Sequence, residues 1–280
     1  MLSDIQLEEI IQNKSDKKKL ASQLGFFSKP LLVKDYQGVE FVVKLYRPVK
    51  SEKTSNFLIE NHEAYTKAMD NIGIRIPDTK ILSKNIRGKH QLIIIQKAFS
   101  AAELVREQME TAPEQRVLDL LKLLLDDIMK FWMNKPAALQ IGFHPTTRNY
   151  ALRDEQLYYF DTFPPMLMPQ KTLNELIITM APVKFMIRGL VPQSAINRVS
   201  DEYYNADRMI TGIIGSSCRL RPEMYNSILN FCKEYIAINT ILNTDERNRI
   251  LENISNPPQL SGIWVGFRKL FGMTGKPNLK

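Results

Sequence analysis

One stretch of the chain brings together residue types that bind metal ions and accept protons. Asn149 and Asp161 lie twelve residues apart around a predicted two-strand hairpin, and His144 precedes Asn149 by five residues. Mg²⁺ prefers hard oxygen ligands and completes its shell with water and phosphate oxygens, which suits an amide and a carboxylate. A neutral imidazole, with an ordinary pKa of about 6.5, can accept a proton. The stretch therefore predicts a metal site, or alternatively an Asx turn before the hairpin and a capping Asp after it.

A second candidate is Lys44, which is embedded in the apolar run Val42-Val43-Lys44-Leu45. A buried, unpaired ammonium is costly, so this lysine either binds an anion or lies on an edge strand and faces solvent. Glu60 and Glu63 share a face of the predicted helix that follows. They are either partners for the lysine or surface charges.

The elements around these residues are predicted from periodicity and from turn and capping residues. The boundary between a small mixed region and a helical region falls near residues 97–101. Helices are predicted at residues 4–24, 55–71, 114–133, 172–188, 193–212, 222–242 and 245–254, and strands at 31–33, 39–45, 79–82, 91–96, 150–152 and 157–160.

This order of elements resembles the protein-kinase-like fold, and more closely its aminoglycoside and choline kinase-like phosphotransferases. The resemblance covers about residues 25–250 and implies an α+β fold with two lobes. The N-lobe is a small antiparallel sheet with one helix, and the larger C-lobe is helical. The expected divisions are a helical extension at 1–24, the N-lobe at 25–97, the C-lobe at 98–254 and a basic amphipathic tail at 255–280.

The resemblance also implies roles for particular residues. Lys44 would bind nucleotide phosphates and pair with Glu63, with Glu60 as the other choice. Asn149 and Asp161 would hold Mg²⁺, with Phe160-Asp161-Thr162-Phe163 in place of the Asp-Phe-Gly segment. The segment that joins the lobes would bind the adenine edge of ATP, or of another nucleotide, through backbone groups. That neighbourhood comprises Gln96, Lys97 and Ala98.

Two departures from the family pattern leave the activity open. No Gly-rich loop separates the first strands, and His144 stands where the family has its catalytic Asp. Either His144 acts as the base, or the loop with Arg148 no longer catalyses. The first reading predicts an ATP- and Mg²⁺-dependent phosphotransferase that acts on a small molecule. The second predicts a pseudokinase-like regulatory protein or scaffold. Nucleotidyl transfer is a further possibility.

Composition narrows the class of protein. The chain has 280 residues, 44% hydrophobic and 24% charged, and a net charge of +8. These values are typical of a soluble globular protein, and no apolar run is long enough to cross a membrane. No nucleic-acid-binding motif and no secretory signal is visible. Cys218 and Cys232 fit two buried free thiols, which favours the cytoplasm. The tail either docks on its own lobe, binds a partner groove or contacts an anionic membrane surface weakly.

Overall fold

The computed structural model describes residues 2–12, 27, 28, 30–180 and 193–255. Within these residues the protein has a small antiparallel sheet followed by a larger helical part, which confirms the predicted α+β fold class. The elements are α1 (Asp4–Gln12), β1 (Pro30–Lys34), β2 (Glu40–Leu45), α2 (Glu52–Ile72), β3 (Thr79–Ile86), β4 (Lys89–Lys97), α3 (Val105–Thr111), α4 (Glu114–Asn134), β5 (Tyr150–Arg153), β6 (Gln156–Tyr159), α5 (Gln170–Met180), α6 (Gln193–Tyr204), α7 (Ala206–Leu220), α8 (Tyr225–Ile238) and α9 (Thr244–Ser255).

The N-terminal sheet has the strand order β1-β2-β4-β3, and every neighbouring pair is antiparallel. A tight turn joins β1 to β2. The Asp35 carboxylate accepts hydrogen bonds from the amides of Gln37 and Val39, and Gly38 takes a φ of +81° that other residues rarely adopt. The turn therefore fixes the register in which Lys34 faces Glu40 and Leu31 faces Val43.

The two faces of β2 pack against different elements because successive side chains of a strand alternate. Val43 belongs to an apolar cluster with Leu7 and Ile11 of α1. Tyr46, directly after β2, belongs to a second cluster with Leu58 of α2. Lys44 has the same parity as Tyr46, so it lies on the α2 side of the sheet.

Helix α2 carries its buried residues in one stripe. They recur at helical spacing and are Ser55, Leu58, His62, Tyr65, Met69 and Ile72. The Ser51 hydroxyl caps the first turn, and Gly73 ends the helix in the left-handed conformation with a φ of +94°. Glu60 and Glu63 lie off this stripe and are exposed.

The helical part is built around α4, which is buried along most of its length. The predicted helix 193–212 is wrong in one respect: the chain is extended at Asn205, which separates α6 from α7. The amide of Phe143 donates to the carbonyl of Tyr203 at 2.8 Å, so the end of α6 is tied to the loop before Asn149. That contact gives the break a physical reason that periodicity does not show.

Several predicted elements lie partly or wholly outside the described residues. The helical extension appears at α1, whereas 13–24 and the tail at 256–280 lie outside the described residues, as do 181–188 of the predicted helix 172–188. Cys218 and Cys232 are free and buried, as predicted. No helix in the described parts of the chain is long and apolar enough to cross a bilayer.

Candidate functional site

The candidate site lies where β2, α2 and the segment after β6 meet. Lys44 Nζ donates a hydrogen bond to the carbonyl oxygen of Phe160 at 2.8 Å and lies 5.6 Å from the centre of the Phe160 ring. Burial lowers the pKa of Lys44, and the negative charge of Asp161 partly opposes that shift. The lysine is therefore held on the segment that carries Asp161, 116 residues away along the chain.

His144 lies close to both Asn149 and Asp161. Its Nδ1 lies 4.0 Å from the Asp161 carboxylate and 3.4 Å from the Asn149 amide nitrogen. The same side-chain amide donates to the main-chain carbonyl of His144 at 2.9 Å, so the side-chain oxygen of Asn149 is directed away from that carbonyl. The Asn149 carbonyl of the main chain accepts from the Phe160 amide at 3.0 Å. Hydrogen bonds thus join the loop to the hairpin beside Asn149 and Asp161, the predicted metal ligands.

The pKa of His144 is lowered. Burial is the main cause, Arg148 contributes, and Asp161 opposes the shift. The ring packs against Tyr203 of α6 with 4.5 Å between centres. The lowered pKa favours the neutral imidazole, and Nδ1 is the ring nitrogen on the side of Asn149 and Asp161.

The structure does not bring Glu63 to Lys44, which corrects the predicted pairing. Glu63 and Glu60 are both exposed, and no salt bridge joins Lys44 to a glutamate within the described residues. The physical reason is the helical phase, because the stripe of α2 that faces the site passes through Leu58 and His62.

His62 is the residue of α2 that does reach the site. Its Nε2 lies 2.8 Å from the Thr162 hydroxyl, and both side chains are almost fully buried. Burial and the nearby charge of Lys44 lower the pKa of His62 to about 4. His62 is not among the site residues predicted from the sequence. Its place in the buried stripe, four residues after Leu58 and three before Tyr65, is the signal that identifies it.

The segment between the lobes is already hydrogen-bonded. The Gln96 side chain is buried and donates to Thr79, and the Lys97 amide donates to the Asp78 carbonyl at 3.3 Å. The Ala98 amide donates to the Glu40 carbonyl at 3.0 Å, and the Ala98 carbonyl accepts from Arg153 at 3.2 Å. The amides of Lys97 and Ala98 and the carbonyl of Ala98, in the predicted adenine-binding neighbourhood, are therefore already hydrogen-bonded within the protein.

Oxygen donors for a divalent cation are present but few. The Asp161 carboxylate is partly exposed, and the Asn149 amide has the orientation described above. No cluster of three or more His, Cys, Asp or Glu side chains that could hold a metal occurs in the part of the chain that the structure describes. The two residues fit a hard cation such as Mg²⁺ only if phosphate or water oxygens complete the shell.

The fold is of the α+β class, with a small antiparallel sheet and a larger helical part. The sequence matches the Family of unknown function (DUF6206) over residues 6–275, and the chain belongs to that family. No curated protein matches it.

Solved structures of kinases and pseudokinases resemble the chain at a distance. A Neurospora crassa PAN3 pseudokinase mutant is 11% identical, with 94% of this chain and 60% of that chain covered and a TM-score of 0.41. The MAP kinase LmaMPK10 from Leishmania major is 12% identical, covering 96% and 77%, with a TM-score of 0.33. Amicoumacin kinase hAmiN in complex with AMP-PNP, Ca²⁺ and Ami is 12% identical, covering 89% and 94%, with a TM-score of 0.33. The chain thus spans 60% of the length of the first of these, and none of the three carries an argument about activity.

Proposed function

We propose that this protein binds the phosphate chain of a nucleotide, together with Mg²⁺, in the cleft between its lobes, as a pseudokinase-like regulatory or scaffold protein. The observation that carries the proposal is the position of Lys44. Its charge is partly withdrawn from water and, among the residues that the structure describes, has one hydrogen bond, to the neutral carbonyl of Phe160 beside Asp161. An ammonium held in this way gains from an anionic ligand because it has three donors to satisfy.

The metal would occupy the side of the site formed by Asp161 and Asn149. When bound, such a cation neutralises charge on the phosphate oxygens. The carboxylate and the amide oxygen would orient it, whereas Lys44 would contact phosphate directly. The lowered pKa of His144 disfavours a positive charge on the imidazole beside the metal.

Three features favour binding over turnover. No carboxylate replaces the catalytic Asp of the resemblance, because His144 stands there. Nδ1 of His144 faces Asn149, so it is already used within the site. No glutamate of α2 pairs with Lys44, since Glu63 is exposed.

A phosphotransferase that acts on a small-molecule acceptor is the second candidate. It is favoured by the lowered pKa of His144 and by the 4.0 Å between its Nδ1 and the Asp161 carboxylate. A rotation of the imidazole would release a nitrogen able to accept the proton of an acceptor hydroxyl. Asp161 would then stabilise the imidazolium that forms.

Thermal stability tests the binding proposal. Saturating ATP with Mg²⁺ should raise the melting temperature of the full chain, because a ligand that binds only the folded state stabilises it by about 2.7 kcal/mol at one hundred times Kd. Asp161→Asn should remove the Mg²⁺-dependent part of the shift, and Lys44→Met should remove the shift altogether. Asp70→Asn, at an exposed position near the end of α2, is the matched control for Asp161→Asn. A full shift in Lys44→Met would overturn the proposal.

A coupled assay separates the two candidates. The binding protein should show only background ATP turnover with pooled alcohol, amine and sugar acceptors, and His144→Ala should leave this unchanged. Turnover that falls about 10²–10⁴-fold in His144→Ala would establish the phosphotransferase instead.

A further inference from the structure

Resting on the proposed phosphate site, we infer that the cleft binds a phosphate chain without reading a nucleobase. Inorganic triphosphate, ATP and GTP should therefore bind with similar affinity. The inference comes from the segment between the lobes, where the amides of Lys97 and Ala98 and the carbonyl of Ala98 are already hydrogen-bonded within the protein.

The backbone of this segment continues the sheet on both sides. Gln96 faces Val42 of β2 on one side and Thr79 of β3 on the other. Beyond it, the Lys97 amide is bonded to the Asp78 carbonyl and the Ala98 amide to the Glu40 carbonyl. A base edge placed against Lys97 or Ala98 would have to break one of these two hydrogen bonds to obtain a backbone donor.

The acceptor at this segment is occupied by Arg153. Its Nη2 donates to the Ala98 carbonyl at 3.2 Å, and its guanidinium lies 4.5 Å from the centre of the Phe99 ring. Nη2 also donates to the Glu103 carboxylate at 3.2 Å, and Nε bonds the other oxygen of the same group. This two-point pairing with a carboxylate fixes the plane of the guanidinium.

Glu103 is itself held in place. It accepts from the amide of Ser100 at 2.7 Å and from its hydroxyl at 2.8 Å, at the start of a short 3-10 helix that spans Ala101–Glu103. The Arg153 hydrogen bond, with these two, lowers the pKa of Glu103 to about 2. The arginine is therefore part of a network of five hydrogen bonds that spans Ala98 to Arg153.

Aromatic side chains line the path from this network to Lys44. Phe99 packs against Tyr158 at 5.5 Å and against Phe160 at 6.2 Å between ring centres, and Phe160 lies under the lysine. Arg153 covers Phe99, so stacking by a base on that ring would displace the guanidinium. The cleft thus offers charge for phosphate at Lys44 and no unpaired polar group of Ala98 for a base.

Calorimetric titration of the full chain tests the inference with Mg²⁺ and three probes: inorganic triphosphate, ATP and GTP. We expect dissociation constants within about threefold of one another. If the protein contacts only the phosphate chain, the binding free energies of the three probes should differ by less than about 0.7 kcal/mol. ATP that binds at least tenfold more tightly than both others would overturn the inference and leave the phosphate site intact. Failure of all three to bind would overturn both.

Replacing Arg153 tests whether this residue keeps a base away from the Ala98 carbonyl. Arg153→Met keeps most of the side-chain stem and frees the Ala98 carbonyl, so ATP should gain over triphosphate by about threefold to tenfold, the value of one hydrogen bond. Arg116→Met, which removes a surface pair with Glu155, is the control and should leave the ratio unchanged. An unchanged ratio in a folded Arg153→Met protein would contradict the role given to Arg153.

Discussion

Replacing Lys44 with methionine should stabilise the protein when no ligand is present. In the ligand-free site, Lys44 loses hydration, which lowers its pKa, and receives one hydrogen bond in return. Removing that bond costs about 1.5–3 kcal/mol, whereas burial of an ion costs several kcal/mol. Methionine has a similar shape and no charge. Because Asp161 offsets part of the penalty without forming an ion pair, we expect a net gain of about 1 kcal/mol in the free energy of unfolding.

The assay is urea unfolding of Lys44→Met followed by circular dichroism, with the melting temperature as a second measure. A gain of this size raises the melting temperature by about 2 °C in a chain of this length. Lys80→Met is the control, because Lys80 is an exposed residue of β3 and its replacement should change stability by less than about 0.5 kcal/mol.

A loss of stability in Lys44→Met would contradict this prediction. A loss of more than about 1 kcal/mol in Lys44→Met, with Lys80→Met neutral, would show that the lysine stabilises the ligand-free fold. The argument that its charge is held for a ligand would then be refuted.

Three further predictions concern the surroundings of the site. His62→Leu should lower the free energy of unfolding by about 1–3 kcal/mol because it leaves the Thr162 hydroxyl buried without a partner, and the double variant with Thr162→Val should recover most of the loss; a double variant less stable than His62→Leu would contradict this. Since the folded pKa of Glu103 is about 2, below the ordinary 4.5, its stabilisation is present above pH 4.5 and is lost as the pH falls toward 2. Between pH 4.5 and pH 2 the free energy of unfolding, measured by urea titration, should therefore fall by about 1 kcal/mol less in Glu103→Gln than in the unaltered protein. An unchanged pH profile would refute the pairing. His144→Ala should leave the affinity for MgATP within about threefold, as measured by calorimetry, and a loss above tenfold would make His144 a binding residue.

Local patterns were sufficient for most elements of the fold. Gly38 lies in the turn between β1 and β2, Gly73 ends α2, and the strand predicted at residues 91–96 is the buried central strand β4. These features depend on neighbours in the sequence, so periodicity and capping residues reveal them. The break at Asn205 was missed because it depends on a contact between α6 and a loop some 60 residues earlier.

Side-chain identity alone indicated which residue types could form a phosphate and metal site. In the structure Lys44 is bonded to the carbonyl of Phe160, next to Asp161, and His144 lies near both Asn149 and Asp161. Their roles there remain proposals. Which residue of α2 meets the site was decided by the phase of the helix against the sheet, which selected His62 over Glu63.

The sequence by itself determined the lobed α+β architecture and the candidate residues, because hydrophobic periodicity and residue chemistry are properties of the chain. Only the tertiary structure decided the pairing of the groups between the lobes. Backbone amides and carbonyls are the same at every position, and Arg153 reaches the Ala98 carbonyl from 55 residues away. Whether such a group is free to meet a ligand depends on what else has folded against it.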